Sequence, residues 1–439
     1  MPGQFAGPAR ALWRGLVVLV ACAAAGCAAQ TGAGPRGAVS RGLQFVGYAD
    51  LAGRPASRMV IHEAGGRWYL YAGHAWHPGW SVIDVTDAAV PRLVRFIAGP
   101  ANTDTGQMEL AGTRMITPLA RVPEDRGGRP GEPFEEGFRI WDVADPELPR
   151  SIGAYRTGGD GTYRVFYAGG RYVHCASAVP GFDGRIYQII DITDPTRPVE
   201  VGRWWVPGQH VAGGETPERA GISLKGTPSI DGNRAYLPYG TAGLVVLDIS
   251  DVTRPQKVGD VRFSPPMADD AGVQTVLPIP TRRVAFTTSG SIAEFCREPS
   301  TQAALIDISD AARPVVLSFL PRPQPSETAS YADFCDKGGR FGPLNVNLHQ
   351  HNRDVQPQAD LLFVTYLNAG LRAFDIGNPR LPREVGYFMP PDPDVRVGPL
   401  PRTRLVAQAE DVVVDRRGYV YLSEENQGVW VLRYVGAGS

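Results

Sequence analysis

The chain has 439 residues, of which 43% are hydrophobic and 20% are charged. This composition is typical of a globular protein with a large core, and it excludes a chain that is disordered throughout. The formal net charge is −1, and Lys and Arg form only short pairs, so nucleic acid is not expected as a partner.

The N-terminus has the pattern of an export signal. Arg10 and Arg14 precede the apolar run 16–20, and small residues lead from there to Cys27. This run is shorter than the roughly 20 residues that a permanent membrane helix needs. The ending Ala-Ala-Gly-Cys at 24–27 resembles a bacterial lipoprotein box with Cys27 as the lipid acceptor, and Cys22 fits the same pattern.

We therefore predict a signal peptide with a lipoprotein box over residues 1–27, followed by a flexible tether over residues 28–40 that is rich in Ala and Gly. The predicted location is the bacterial cell envelope, with a lipid anchor as the contact to a membrane. Secretion without lipid is the alternative that this segment leaves open.

Three cysteines follow the signal segment. Cys296 and Cys335 lie in segments typical of loops on either side of one repeat, and export permits disulfides, so we predict a bond between them. Cys175 lies in a strand-like run, which predicts a buried thiol.

One motif recurs along the chain: an apolar strand, Asp, Val or Ile, a small residue, Asp or Asn, and a Pro seven positions after the first Asp. A spacing kept this strictly indicates a structural repeat. The motif begins at Asp84, Asp142, Asp191, Asp248, Asp307 and Asp375. The motif predicts a tight turn between two strands, because Asp and Asn accept hydrogen bonds from nearby backbone N–H groups and Pro admits the next strand. We therefore predict a structural role for these Asp residues.

Each interval between motifs holds about four short strands, which is the content of a propeller blade. The tail 428–433 aligns with 370–375 and forms a seventh copy that lacks its last strand, whereas the segment 45–48 resembles such a last strand. We predict an all-β, seven-bladed β-propeller over residues 41–436. Its ring closes when Phe45–Ala49 pairs with Gly428–Tyr434, which removes exposed sheet edges.

The strand and turn at 187–195 resemble those of the LVIVD-repeat family of bacterial β-propellers. The resemblance extends over nearly the whole mature chain. More distantly, the chain is similar to the selenium-binding protein and methanethiol oxidase propellers. This resemblance implies an activity that depends on histidines and a copper ion. Where the resemblance implies channel histidines, this chain has Tyr163, Lys225, Gln274 and Leu344, and only His349 is kept.

The segment 345–351 carries the densest set of polar residues and is predicted as the innermost strand of the sixth blade. A strand period of two places Asn345, Asn347, His349 and His351 on one face. His349 and His351 are candidate metal ligands, although two ligands do not define a metal site. A hydrated polar channel is the alternative, so a bound metal ion stays open as a cofactor and no other cofactor is indicated.

Further polar residues stand where the innermost strands of other blades begin. We predict that they approach the central channel and suit a small polar or anionic ligand. The candidate channel residues are Tyr163, Arg164, Lys225, Gln274, Asn345, Asn347, His349 and Glu410.

The chain contains no known hydrolase, zinc-protease or phosphate-loop motif, so its catalytic residues are unknown. Long segments at 121–137, 206–224, 289–302, 321–344 and 389–408 predict binding loops on the rigid scaffold. Two hypotheses follow. The first is a binding or interaction protein of the cell envelope that contacts a protein, glycan or small ligand. The second is a copper-like metal-dependent oxidoreductase or hydrolase at the channel.

Overall fold

The structure is a computed structural model that describes residues 1–4, 35–218, 221–263 and 272–436. From residue 34 onward the chain forms one compact unit. The predicted signal segment, with Cys22 and Cys27, lies outside the described residues. Among the residues described, no helix is long and apolar enough to cross a membrane.

Two short strands open the fold, β1 (Val39–Arg41) and β2 (Leu43–Ala49). The later strands in the described ranges fall into seven groups, each called a blade here. Blade 1 contains β3 (Ala56–Ala64), β4 (Arg67–His74), β5 (Gly79–Asp84) and β6 (Arg92–Ala98). Blade 2 contains β7 (Thr103–Asp104), β8 (Glu109–Ala111), β9 (Arg114–Arg121), β10 (Gly137–Asp142) and β11 (Arg150–Tyr155). Blade 3 contains β12 (Gly161–Phe166), β13 (Tyr172–Ala178), β14 (Ile186–Asp191) and β15 (Val199–Trp204).

The remaining blades follow the same order. Blade 4 contains β16 (Ser229–Asp231), β17 (Arg234–Pro238), β18 (Leu244–Asp248) and β19 (Gln256–Val261). Blade 5 contains β20 (Thr275–Ile279), β21 (Val284–Thr288), β22 (Ala303–Asp307) and β23 (Val315–Phe319). Blade 6 contains β24 (Leu361–Thr365), β25 (Leu371–Asp375) and β26 (Arg383–Met389). Blade 7 contains β27 (Ala409–Val414), β28 (Tyr419–Glu424) and β29 (Gln427–Tyr434).

Neighbouring strands within each blade pair antiparallel, and a single residue pair, Gly161 with Ala120, joins blades 2 and 3 into one sheet. The described helices are short and lie in connections: the 3₁₀ turns Glu124–Arg126, Val211–Gly213 and Pro280–Arg282, and the α-helix α1 (Phe334–Lys337). The architecture is the predicted all-β propeller, and the seven groups agree with the seven predicted blades.

The N-terminal strands complete the last two blades. β2 pairs with β29 as the outermost strand of blade 7, as the sequence predicts, and the ring of Tyr48 lies 4.3 Å from that of Trp430. β1 pairs with β26 at the edge of blade 6. The tether that was expected through residue 40 therefore overlaps β1, because Val39 and Ser40 already pair with Met389 and Phe388.

The repeated Asp residues make the predicted turns. In each of the six motifs the first Asp accepts a hydrogen bond from the backbone N–H two residues later, at 2.8–2.9 Å. The second Asp or Asn does the same at 2.9–3.1 Å. These residues therefore stabilise the turn between the two strands that flank each motif, in blades 1 to 6.

Apolar side chains of adjacent blades pack against each other and form the core. Between blades 5 and 6, for example, Leu277 and Phe286 pack in one cluster with Leu362 and Phe374, and all four are buried. Because each inter-blade layer is apolar, polar residues of the inner strands are left to face the axis.

Two cysteine predictions can be compared with the structure. Cys296 and Cys335 form a disulfide with Cα atoms 5.4 Å apart, which connects the long segments 289–302 and 321–344. Cys175 is a buried free thiol on β13.

The predicted innermost strand at 345–351 is wrong in its second half. Val346 forms an isolated bridge with Val364 of β24, but regular pairing does not continue to His351. Instead the chain crosses toward other blades: Asn352 donates to the carbonyl of Ile61 in blade 1, and Val355 pairs with Asp415 of blade 7.

Candidate functional site

A cavity of about 970 Å³ opens at the end of the channel where the inner strands begin, here called the upper mouth. Residues of several blades and of the long connections line it. Five of the eight candidate channel residues are on its wall: Tyr163, Arg164, Lys225, Gln274 and Glu410. The remaining three, Asn345, Asn347 and His349, lie outside this lining.

Breaks in strand register place consecutive polar residues on the channel side. In β12 the pairing with β13 shifts between Thr162 and Arg164, which leaves Tyr163 as the extra residue. The register also shifts between Ala409 and Val412 in β27, at Glu410 and Asp411. Such bulges re-aim side chains that a regular strand would send to opposite faces.

Tyr163 lies against two guanidinium groups at the cavity wall. The Cζ atoms of Arg164 and Arg185 lie 3.7 Å and 4.4 Å from the centroid of its ring. Nη2 of Arg164 also donates a hydrogen bond to the phenol oxygen, at 2.9 Å. Both contacts place positive charge at the face and at the oxygen of one aromatic ring.

The cations around Tyr163 change its acidity. Burial alone would raise the pKa of Tyr163, but Arg164, Arg126 and Arg185 outweigh that effect and lower the pKa below its usual value of 10.0. The cause is electrostatic, because nearby positive charge favours the phenolate over the phenol.

Arg164 is almost wholly buried at the cavity wall. Only 6% of the residue is exposed, and its Nε atom has no hydrogen-bond partner within the described ranges of the chain. A buried donor of a charged group without an acceptor is rare and unfavourable in folded proteins.

Arg126 reaches the same cavity from the 3₁₀ turn in the segment 121–137. Burial lowers the pKa of Arg126, but Tyr163, Glu425 and Glu410 raise it more, so its net pKa lies above the usual value. The segment is connected to its neighbours across the upper mouth: Asp125 lies 3.6 Å from Arg402, and the Glu294 carboxylate accepts from the Arg402 backbone. Three of the long segments therefore meet at this face, as expected for binding loops.

Acidic groups lie beside the cationic part of the cavity, and Glu410 is on its wall. Glu410 and Asp411 lie 3.9 Å and 3.6 Å from the guanidinium of Arg58 on β3. Burial raises the pKa of Asp411, although Arg58 opposes this. Arg340, which also lines the cavity, forms a buried ion pair with Glu425. The arginines around Tyr163 and the acidic residue Glu410 therefore line the same cavity.

His349 is buried in a pair that spans different blades. Its Nδ1 lies 3.1 Å from Oε2 of Glu109 on β8, and the same oxygen lies 3.6 Å from Nε2 of His351. Burial is the largest single effect and lowers the pKa of His349, but the carboxylates of Glu109 and Asp411 together raise it more, so its net pKa is raised. Burial also lowers the pKa of His351, and because its effect exceeds the opposing effect of Glu109, the net pKa of His351 is lowered.

The amides of the segment 345–347 have structural partners. Asn345 Nδ2 donates to the backbone carbonyl of Glu410 at 2.6 Å, and Asn347 Nδ2 donates to that of Gln356 at 3.3 Å. Gln107 makes the corresponding bonds on the other side, to both backbone groups of Val165. Asn345 and Gln107 therefore connect neighbouring blades, 6 to 7 and 2 to 3, whereas Asn347 bonds within its own connection.

The residues present do not fit the copper ion that the distant resemblance implies. His349 directs Nδ1 at Glu109, and Leu344 has no donor atom. Among the described residues, no group of three or more His, Cys, Asp or Glu side chains is arranged to hold a metal ion.

Sequence reasoning missed three groups that shape the site. Arg185 lies in the connection before β14, Arg126 lies in a long segment, and Glu109 stands at the start of a three-residue strand. Connections have no periodic pattern that would show the direction of a side chain. The adjacent polar residues Tyr163 and Arg164 were the only local signal of the bulge.

A family model of the LVIVD repeat matches residues 185–205 and 229–262. These segments are LVIVD repeats. The two matched LVIVD repeats contain the Asp turns at Asp191 and Asp248, and the first begins with the cavity residue Arg185. Two neighbouring blades of the β-propeller, blades 3 and 4, therefore carry LVIVD repeats.

No curated protein shows significant sequence similarity to the chain. Among the solved structures with a similar fold are two that share 8% sequence identity with this chain. One is the computationally designed Ika8 protein, with a TM-score of 0.47, covering 88% of this chain and 99% of that chain. The other is the C-terminal WD40 domain of Sif2, with a TM-score of 0.49, covering 89% of this chain and 98% of that chain.

Proposed function

We propose that this protein is an exported, lipid-anchored β-propeller of the bacterial cell envelope that binds a small ligand through an anionic group at the upper mouth of its channel. The observation that carries the binding proposal is the cluster of Arg164 and Arg185 on Tyr163 at the cavity wall. Guanidinium groups match carboxylates in geometry and charge.

The size and composition of the cavity support a ligand larger than an inorganic ion. Its volume of about 970 Å³ lies near the upper end of the range for small-molecule sites. Gln274 and Ser223 on its wall provide neutral hydrogen-bonding groups beside the charged ones. A glycan fragment that carries a carboxylate satisfies both features.

A pair of probes that differ only in charge tests the binding proposal. Oligogalacturonate and its methyl ester should be titrated calorimetrically into the chain that begins at residue 35. We expect the acid to bind and the ester to bind at least about tenfold more weakly, since a hydrogen bond to a charged group contributes about 1.5–3 kcal/mol.

The variant Arg185→Gln should lose the preference for the acid. Its matched control is Arg171→Gln, because Arg171 is on the same blade but pairs with the turn residue Asp191 outside the cavity. Equal binding of acid and ester by the unaltered protein would contradict the proposed anionic group. An equal effect of both variants would place the ligand elsewhere.

The anchor is tested in cells that produce the full chain. We expect Cys27→Ser to release the protein from the membrane fraction, with Cys22→Ser as the matched control that stays attached. Release caused by Cys22→Ser alone would show that Cys22 carries the lipid. If both variants and the unaltered chain are found as soluble extracellular protein, the protein is secreted without a lipid anchor.

A further inference from the structure

The phenol oxygen of Tyr163 is placed for proton transfer as well as for binding. It accepts a hydrogen bond from Nη2 of Arg164, a donor that cannot act as a base because it stays protonated. Arg185 covers the ring at 4.4 Å, and the residue lines the open cavity. The phenol oxygen is therefore accessible to a ligand in the cavity, and the surrounding arginines favour its anionic form.

We propose that Tyr163 is a general base that removes a proton from the carbon next to the ligand carboxylate, so that the cavity cleaves uronate-containing glycans by β-elimination. This inference rests on the proposed binding of an anionic ligand and assigns it a substrate class. It requires no metal and no redox partner.

The chemistry needs a base and a positive charge at separate positions, and the cluster provides both. A proton next to a carboxylate is weakly acidic because its removal creates a second negative charge on the same group. Guanidinium groups that neutralise the carboxylate stabilise this enolate-like state. Arg185 and Arg126 are available for that role, while Arg164 holds the phenol oxygen.

The step balances within the substrate and one tyrosine. The phenolate oxygen of Tyr163 takes the proton from C5 of the uronate, and the electron pair of the broken C–H bond forms the C4=C5 double bond. The C4–O bond to the preceding sugar breaks, and its electron pair stays on the departing oxygen. The phenol of Tyr163 then donates the same proton to that oxygen, which restores the phenolate. This return by one residue requires the C5 proton and the C4 oxygen to lie on the same face of the sugar ring, as in the glucuronate of hyaluronan and the mannuronate of alginate.

The acidity of Tyr163 supports this assignment independently of the ligand. Arg164, Arg126 and Arg185 lower its pKa against the opposing effect of burial. Tyr167, one residue beyond the same strand, shows the contrast: burial raises its pKa, and its hydroxyl donates to the carbonyl of Gly170. A tyrosine base is most effective when its pKa approaches the working pH.

The first test measures ionisation without substrate. The near-ultraviolet band of tyrosinate should be recorded against pH for the unaltered chain, Tyr163→Phe and the control Tyr167→Phe. We expect one tyrosine to ionise ahead of the others, and this early transition should be absent only in Tyr163→Phe. An early transition that persists in Tyr163→Phe, or its absence from the unaltered chain, would overturn the inference.

The second test measures the product. Polygalacturonate, alginate and hyaluronan are incubated with the same three proteins, and the absorbance of the conjugated unsaturated uronate is followed. We expect product from at least one polymer, lost by at least about 100-fold in Tyr163→Phe and kept in Tyr167→Phe, the range that a general base contributes.

Calorimetry on the same samples separates the two proposals. Binding of the oligogalacturonate by both the unaltered chain and Tyr163→Phe, without product from any polymer, would overturn the lyase and leave the binding function standing. Failure to bind any uronate would remove both. Product formation that Tyr163→Phe retains would place the base on another residue and contradict the assignment.

Discussion

Nδ1 of His349 lies 3.1 Å from Oε2 of Glu109, a contact between residues 240 positions apart that joins the chain of blade 6 to the inner strand of blade 2. Both side chains are buried, at 6% and 1% exposure. Removing one partner of a buried ion pair leaves the other charge or donor without compensation. This pair should therefore stabilise the ring across its axis.

We expect Glu109→Gln to lower the free energy of unfolding by about 3–5 kcal/mol in urea titrations, the usual range for breaking a buried pair.

The pKa of His349 is raised in the folded state by Glu109. The stability from this pair is thus complete below about pH 6.5, the usual histidine pKa, and is lost as pH rises through the folded pKa. The difference between the two proteins should shrink accordingly toward alkaline pH. Glu63→Gln is the control, because Glu63 pairs with the half-exposed Arg416. Equal losses in both variants would contradict the special role of Glu109.

Affinity for an anionic ligand should fall with rising pH. Arg164 and its neighbours lower the pKa of Tyr163. Ionisation of Tyr163 places a negative charge beside the guanidinium groups that bind the ligand, and such a charge weakens anion binding by at least about tenfold. Calorimetric titration of oligogalacturonate across the alkaline range should show this loss in the unaltered chain. Tyr163→Phe should bind with little dependence on pH, and a parallel loss in that variant would refute the link.

Ring closure by the N-terminal strands should be required for stability. A chain that begins at residue 51 lacks β1 and β2 and exposes the edge of β29, whereas a chain that begins at residue 35 keeps both. We expect the shorter chain to unfold at lower temperature and to aggregate through the exposed edge. Circular dichroism melting and light scattering compare the two. Identical melting curves would show that closure contributes nothing.

Loss of the disulfide should weaken both the fold and the upper mouth. Cys296 and Cys335 are separated by 39 positions, and a loop of that length predicts a loss of about 3–4 kcal/mol when the bond is absent. The double variant Cys296→Ala/Cys335→Ala should therefore unfold earlier in urea and bind oligogalacturonate more weakly. Reduced unaltered protein is the matched control and should behave alike. Unchanged binding after reduction would mean that these segments do not shape the site.

The fold was predictable because its information is local and repeated. Each Asp turn specifies a connection by hydrogen bonds between residues two positions apart, and six copies reveal the blade. The position of Tyr163 and Glu410 at the beginning of inner strands was likewise sufficient to place them at the upper mouth.

The surroundings of Tyr163 were not predictable in the same way. Arg185 and Arg126 arrive from connections whose path depends on packing against other blades. The partner of His349 is Glu109, at a distance in sequence that no local pattern encodes. The segment 348–355 departs from strand geometry because it makes contacts with blades 1 and 7, and these contacts exist only in the closed ring.

The pairing of β2 with β29 also sets an order of events during synthesis. Leu43 pairs with Tyr434, so a strand made near the start of the chain finds its partner only when nearly all of the chain exists. Until then β1 and β2 have unpaired backbone groups, and such edges invite association with other chains. A cell that makes this protein must therefore keep an incomplete, open ring apart from neighbouring chains for the whole time of translation, which makes this protein a natural client for chaperones that shield strand edges.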